Sequence, residues 1–125
     1  MKRILLVRLS SLGDVLHTFP AVTDLARASP GVELHWVVEE AYVPLVRMHP
    51  AVAHAIAFAL RRWRRGVLTA AAWREIGAFR HALRDRAYDA VVDAQGLVKS
   101  AWVADLARGP VHGYTRAAAR EPLAA

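Results

Sequence analysis

Short apolar runs alternate with longer stretches in which apolar residues return every three or four positions. Residues 3–9 (RILLVRL) are rich in leucine and β-branched side chains, which predicts a strand buried on both faces. The segment Ser10-Ser11-Leu12-Gly13-Asp14 interrupts that run. Beyond it Val15, Phe19, Val22 and Ala26 recur at helical spacing. Pro20 falls inside this pattern without an amide hydrogen, so a kink or a restart is expected there. Ser29-Pro30-Gly31 stops the helix.

Residues 33–38 (ELHWVV) predict a second strand, followed by a short helix near 40–48 and a weaker strand at 53–59. Over about 69–87, Ala72, Ile76, Phe79 and Leu83 share one helical face that Arg74, Glu75, Arg80 and Arg84 avoid. A fourth strand is expected at 89–93, a helix at 97–107 and a fifth strand at 110–114. Repeats and low-complexity linkers are absent from the sequence. Strand and helix alternate throughout, which predicts an α/β fold: a Rossmann-like parallel sheet with helices on both faces. Ligands of such sheets bind beyond the carboxyl ends of the strands. Two loops fall there, residues 8–14 and residues 94–99.

Composition narrows the class. The 125 residues amount to one domain, and 55% apolar against 22% charged residues argues for a packed core. There is no cysteine, hence no disulfide scaffold and no thiolate metal site. Seventeen basic and eleven acidic residues leave a formal charge of +6, which points to an anionic partner without choosing one. No window approaches the ~18 apolar residues of a membrane span. The opening Ile4–Val7 run is cut by Arg8, too early for a signal-peptide core of about 7–15 residues. A cytoplasmic protein that touches a membrane without crossing it is the expectation.

The first loop places Ser10, Ser11, Gly13 and Asp14 where a strand becomes a helix. Gly13 permits close approach of a ligand, and free amides at a helix start suit an anion. Asp14, the loop's carboxylate, either complements the helix dipole as a cap or does chemistry. The loop is neither a GxGxxG fingerprint nor a Walker A motif. In the second loop Asp93 is suited to hold the turn, Gln95 both donates and accepts, Gly96 allows a tight bend, and Lys99 supplies a cation. Arg61, Arg62, Arg64 and Arg65 surround Trp63, either as a solvated charge run or as a phosphate-binding arm whose indole rests at a membrane interface. The six histidines lack metal-ligand spacing with partner carboxylates, so no metal site is expected.

SSLGDVLHT, WVVEEAY, AFALRRWRR, YDAVVDAQGLVKSA and HGYTRAAAREPLA together resemble the lipopolysaccharide heptosyltransferase I family, along nearly the whole chain. The resemblance implies the amino-terminal, acceptor-side half of a two-domain GT-B glycosyltransferase, with residues 1–125 as one domain and the carboxyl-terminal donor domain absent. It further implies inverting, metal-independent transfer of heptose from ADP-L-glycero-D-manno-heptose to a Kdo sugar of Kdo2-lipid A, without a cofactor. By carry-over of the motif, Asp14 is the catalytic base, with Ser10, Ser11 and Gly13 beneath the transferred sugar. Arg61, Arg62, Arg64, Arg65, Gln95, Gly96, Lys99 and Arg120 are the implied acceptor contacts. The setting implied is the cytoplasmic face of an anionic inner membrane, with no nucleic acid as partner. Two alternatives stay open: a heptosyltransferase II-like enzyme with another acceptor, and a basic α/β module that holds nucleic acid electrostatically. Against the second stand Asp14, Asp89 and Asp93, expected at or near the cleft-forming strand ends, and the lack of an RNA- or DNA-binding signature.

Overall fold

A computed structural model describes residues 2–95 and 98–113, without the side chains of Val98 and Lys99. Five strands form one sheet: β1 (Arg3–Val7), β2 (Glu33–Glu39), β3 (Val52–Phe58), β4 (Ala90–Asp93) and β5 (Val111–Gly113). Their spatial order is β3-β2-β1-β4-β5, and every pairing is parallel. The chain winds outward from β1 in one direction and then returns to its other edge at β4. A crevice therefore opens at the carboxyl ends of β1 and β4, where the winding reverses. Both loops singled out in the sequence end there.

Helices cover both faces. Helices α1 (Leu12–Ala28) and α2 (Val43–Arg47) pack on one side, and α3 (Leu60–Arg65), α4 (Ala70–Arg84) and α5 (Val98–Leu106) on the other. Alternation along each strand divides the core in two. Leu6, Trp36 and Val38 meet Val15, Val22 and Val46 on the α1 face. Leu5, Val7, Val37 and Val91 meet Phe79, Leu83 and Val103 on the α4 face. This is the predicted α/β sheet, with both sides of its central strands closed off from water.

Three local expectations change. Helix α1 runs through Pro20 without a restart. Pro20 lies on the exposed side of the helix, where the carbonyl left without its amide can turn to water. The segment after β2 is a 3-10 turn (Glu40–Tyr42) followed by the short α2, not one helix. Pro44 at the start of α2 suits a fresh helix entry, because it needs no amide partner there.

The third change concerns Trp63. The arginine run is a short helix, and Trp63 points into the core, with ring centroids 5.5 Å from Phe58 and 5.3 Å from Phe79. Of the two readings of the run, the one that rests its indole at a membrane interface is thus corrected. Burial of a large aromatic surface outweighs solvent exposure at this position, and the four arginines fan outward around it. Thr69 caps α4 by accepting the Ala72 amide at 3.2 Å. Among the described residues, no helix is long and apolar enough to cross a membrane.

Candidate functional site

The crevice is built outward from Arg8, the residue just past β1. Its guanidinium is mostly buried; it donates to the carbonyl of Ala94 and pairs with Asp14 at 3.3 Å. Its own carbonyl accepts from the Trp36 indole at 3.0 Å. Arg8 therefore ties the loops after β1 and β4 together and holds the Asp14 carboxylate from below. Sequence reasoning passed over it, although a cation ending an apolar strand six positions before an aspartate was a readable signal.

Asp14 lies in the first turn of α1, whose N-cap is Ser11. Half of the Asp14 side chain is exposed (50%), and the Ser11 hydroxyl sits 3.4 Å from its Oδ2. The helix dipole favours a carboxylate there, so the structural role read from the sequence holds at least in part. Yet the group stays open to a ligand. A Cβ built on Gly13 would meet nothing within 4 Å, so packing inside the chain does not require glycine at that position. The Ser10–Ser11 peptide bond is cis.

Gln95 changes character. It is buried (6% exposed), and its amide oxygen accepts from the backbone amides of Leu9 at 2.7 Å and Ser10 at 3.1 Å. A side chain committed in this way braces the first loop from behind, which corrects its expected place on the acceptor surface. Asp93 does hold the turn: its carboxylate accepts from the Gln95 amide at 3.1 Å and from Ser100 at 3.3 Å. Gly96 and Arg120 lie outside the described residues, as does the side chain of Lys99.

Beside the loop is a cavity of about 410 Å³ lined by Ser10, Glu39, Glu40, Tyr42, Arg61 and Arg64, among others. The fold thus brings Ser10 and two α3 residues, Arg61 and Arg64, to one cavity from two separate segments. Arg62 is turned elsewhere. It makes two hydrogen bonds to Glu40, at 3.0 and 3.1 Å, and an ion pair with Glu75, and these contacts raise its pKa further. Arg65 is exposed and is not on the cavity wall. Glu39 and Glu40 bring negative charge to a wall expected to be cationic, a feature the sequence reading missed.

The opposite end of the sheet holds a second polar cluster. Glu33, His35 and His54 place one potential ligand atom each within 4.8 Å of one another. Linear spacing hid this, because strand pairing sets His35 directly across from His54. Arg3 already binds the Glu33 carboxylate, and that hydrogen bond lowers the Glu33 pKa. His35 is 1% exposed and shares a 2.8 Å hydrogen bond with the Tyr88 hydroxyl. Burial depresses the His35 pKa to about 4 and pushes Tyr88 up to about 12. Asp89 belongs to this end as well: its carboxylate accepts the Arg3 amide at 2.7 Å. That corrects its expected place near the crevice, because a residue preceding β4 must lie at the strand's amino end.

The family model for glycosyltransferase family 9 (heptosyltransferase) matches residues 76–125. Lipopolysaccharide heptosyltransferase 1 of Pseudomonas aeruginosa is 51% identical over 98% of this chain, and the chain covers 35% of that protein. The protein of the same name from Escherichia coli K12 is 52% identical over 98% of this chain, which covers 39% of it. The chain therefore spans little more than a third of the length of these relatives. The structure of the E. coli heptosyltransferase WaaC with ADP-2-deoxy-2-fluoro heptose superposes with a TM-score of 0.92 at 51% identity, covering 98% of this chain and 39% of that one. E. coli heptosyltransferase II, at 24% identity and a TM-score of 0.66, shares the fold. Over the residues it spans, the chain is similar in sequence and fold to the heptosyltransferases of glycosyltransferase family 9.

Proposed function

We propose that this chain is the acceptor-side part of a GT-B enzyme that transfers heptose from ADP-heptose to a Kdo sugar of the lipopolysaccharide inner core. The observation that carries the reading is a half-exposed carboxylate at the crevice, held by Arg8 and following a loop whose Ser10 lines a cavity together with Arg61 and Arg64. The likeness to heptosyltransferases, and to an E. coli structure that holds ADP-2-deoxy-2-fluoro heptose, supports the donor and the reaction class.

In this reading Asp14 takes the proton of an acceptor hydroxyl as that oxygen attacks C1 of the heptose. The new C1–O bond forms on the face opposite the bond to the diphosphate, which breaks and releases ADP with inversion. No metal takes part. Arg8 fixes the carboxylate's direction, and Gln95 fixes the loop carrying Ser10, Ser11 and Gly13 beneath the sugar. Arg61 and Arg64 receive acceptor carboxylates or phosphates, for which guanidinium geometry is suited. Nucleic acid has no place in this proposal. The setting proposed is the cytoplasmic face of the inner membrane.

The test uses enzyme of the relatives' full length. Arg61→Ala combined with Arg64→Ala should raise the acceptor KM by roughly 10-fold or more, as expected for lost charge-assisted hydrogen bonds. The KM for ADP-heptose should stay constant. A rise confined to the donor KM would place the arginines on the other side of the cleft and overturn the assignment.

A further inference from the structure

The turn after α3 carries apolar side chains that the core does not use. Leu68 is 96% exposed, Val67 48% and Trp73 57%. Single exposed apolar residues are ordinary, but three large ones within seven positions form a patch. The turn is also held firm. Gly66 donates to the Arg62 carbonyl, Thr69 donates to the Gly66 carbonyl, and the Trp73 indole donates to the Val67 carbonyl at 2.6 Å. The patch is therefore a fixed feature of the surface.

Its charge surroundings identify the occupant. Residues 60–74 contain five arginines and no carboxylate. Arg62 is spent on Glu40 and Glu75, whereas Arg61, Arg64, Arg65 and Arg74 are exposed. A tryptophan and a leucine ringed by arginine match a surface whose outer layer is anionic and whose interior is hydrocarbon. An acidic protein would satisfy the arginines but leave Leu68 without a complementary phase.

We infer that the α3–α4 turn is a bilayer-contact tip, with Val67, Leu68 and Trp73 entering the headgroup region and Arg65 and Arg74 meeting lipid phosphates. This rests on the proposed lipid-borne acceptor and deepens it. Arg61 and Arg64, one helical turn away, line the acceptor cavity, so docking of the tip would bring that cavity to the membrane surface. The residue that reaches the interface is then Trp73, and not the tryptophan inside the arginine run.

The experiment compares full-length enzyme with a Val67→Asp, Leu68→Asp double variant on vesicles of phosphatidylglycerol and phosphatidylcholine. Sedimented enzyme should fall roughly 10-fold or more in the variant, because two apolar groups leave the interface and two anions enter it. Parent binding should weaken with added salt and be much lower on pure phosphatidylcholine. Turnover of a water-soluble, deacylated acceptor and the melting temperature should match the parent, since neither side chain packs in the core. Equal vesicle binding by variant and parent would overturn the inference. So would a parent dimer that the variant loses, which would assign the patch to a second copy. If no Kdo acceptor is turned over while vesicle binding still depends on Leu68, the acceptor reading fails and the tip stands.

Discussion

The two ends of the sheet treat the same kinds of side chain in opposite ways. At the amino end, Arg3, Glu33, His35, Tyr88 and Asp89 close on one another: a carboxylate on a guanidinium, an imidazole on a phenol, a carboxylate on a backbone amide. At the carboxyl end, Asp14 remains half exposed, its closest cation stands at 3.3 Å, and Arg61 and Arg64 face a cavity. Buried polar groups need partners from their own chain, whereas groups left at a crevice are available to a ligand. The difference separates a fastening from a workplace. It also explains why the histidine cluster, despite its ligand-like composition, is assigned no function: Arg3 already occupies its carboxylate.

Three measurements test that contrast, beginning with the largest effect. Asp14→Asn in the full-length enzyme should lower turnover by roughly 10²–10⁴-fold, the usual loss for a general base. Its thermal midpoint should hardly move, because the change is isosteric at a half-exposed position. Turnover within a few-fold of the parent would make Asp14 another fastening. Gln95→Leu should act on both sides of the contrast. It leaves the buried amide of Leu9 and the part-buried amide of Ser10 without their acceptor, costing about 1–3 kcal/mol in urea unfolding. Turnover should drop as well, since the loop bearing Ser10 loses its brace. Loss of stability with turnover retained would show that the loop needs no bracing.

The smallest effect concerns pH at the amino end. His35 titrates near 6.5 in the unfolded chain and near 4 when folded, because burial penalises its charged form. Below about 6.5 the unfolded chain therefore binds the extra proton first. Stability present at neutral pH is lost as the pH falls toward about 4. The loss between about pH 7 and pH 5 should be roughly 1–2 kcal/mol from this residue. A His35→Gln protein, melted at both values, should show a shallower fall. An unchanged slope would mean that other groups govern acid sensitivity, and that the amino end is less tightly closed than its contacts indicate.

Much of the crevice was legible before any coordinates. Ser10, Ser11, Gly13 and Asp14 stood out because a polar, glycine-containing break after an apolar strand can only be a loop at the carboxyl end of that strand. Gln95 stood out for the same reason, but its job did not. Whether an amide side chain faces a ligand or turns back onto Leu9 depends on a residue 86 positions away, which local pattern does not encode. Trp63 and Arg62 were misjudged alike. A charge run looks uniform as text, yet in a helix one member points inward and another meets Glu40 and Glu75. Asp89 was assigned to the wrong end by position along the chain, although it precedes its strand and Asp93 ends it.

What the sequence by itself determined is the alternation of buried strands with amphipathic helices, and through it the parallel sheet and the place of its crevice. Apolar periodicity suffices for that, because each element must bury one stripe or both faces whatever its neighbours are. Only the tertiary structure decided which polar groups are consumed and which are offered. His35 meets Tyr88 across 53 positions, Arg8 meets the carbonyl of Ala94 across 86, and Leu68 is left 96% exposed. Hydrogen bonds and ion pairs act over a few ångströms in space, without regard to separation along the chain. Their partners are therefore set only when the sheet has brought distant residues side by side.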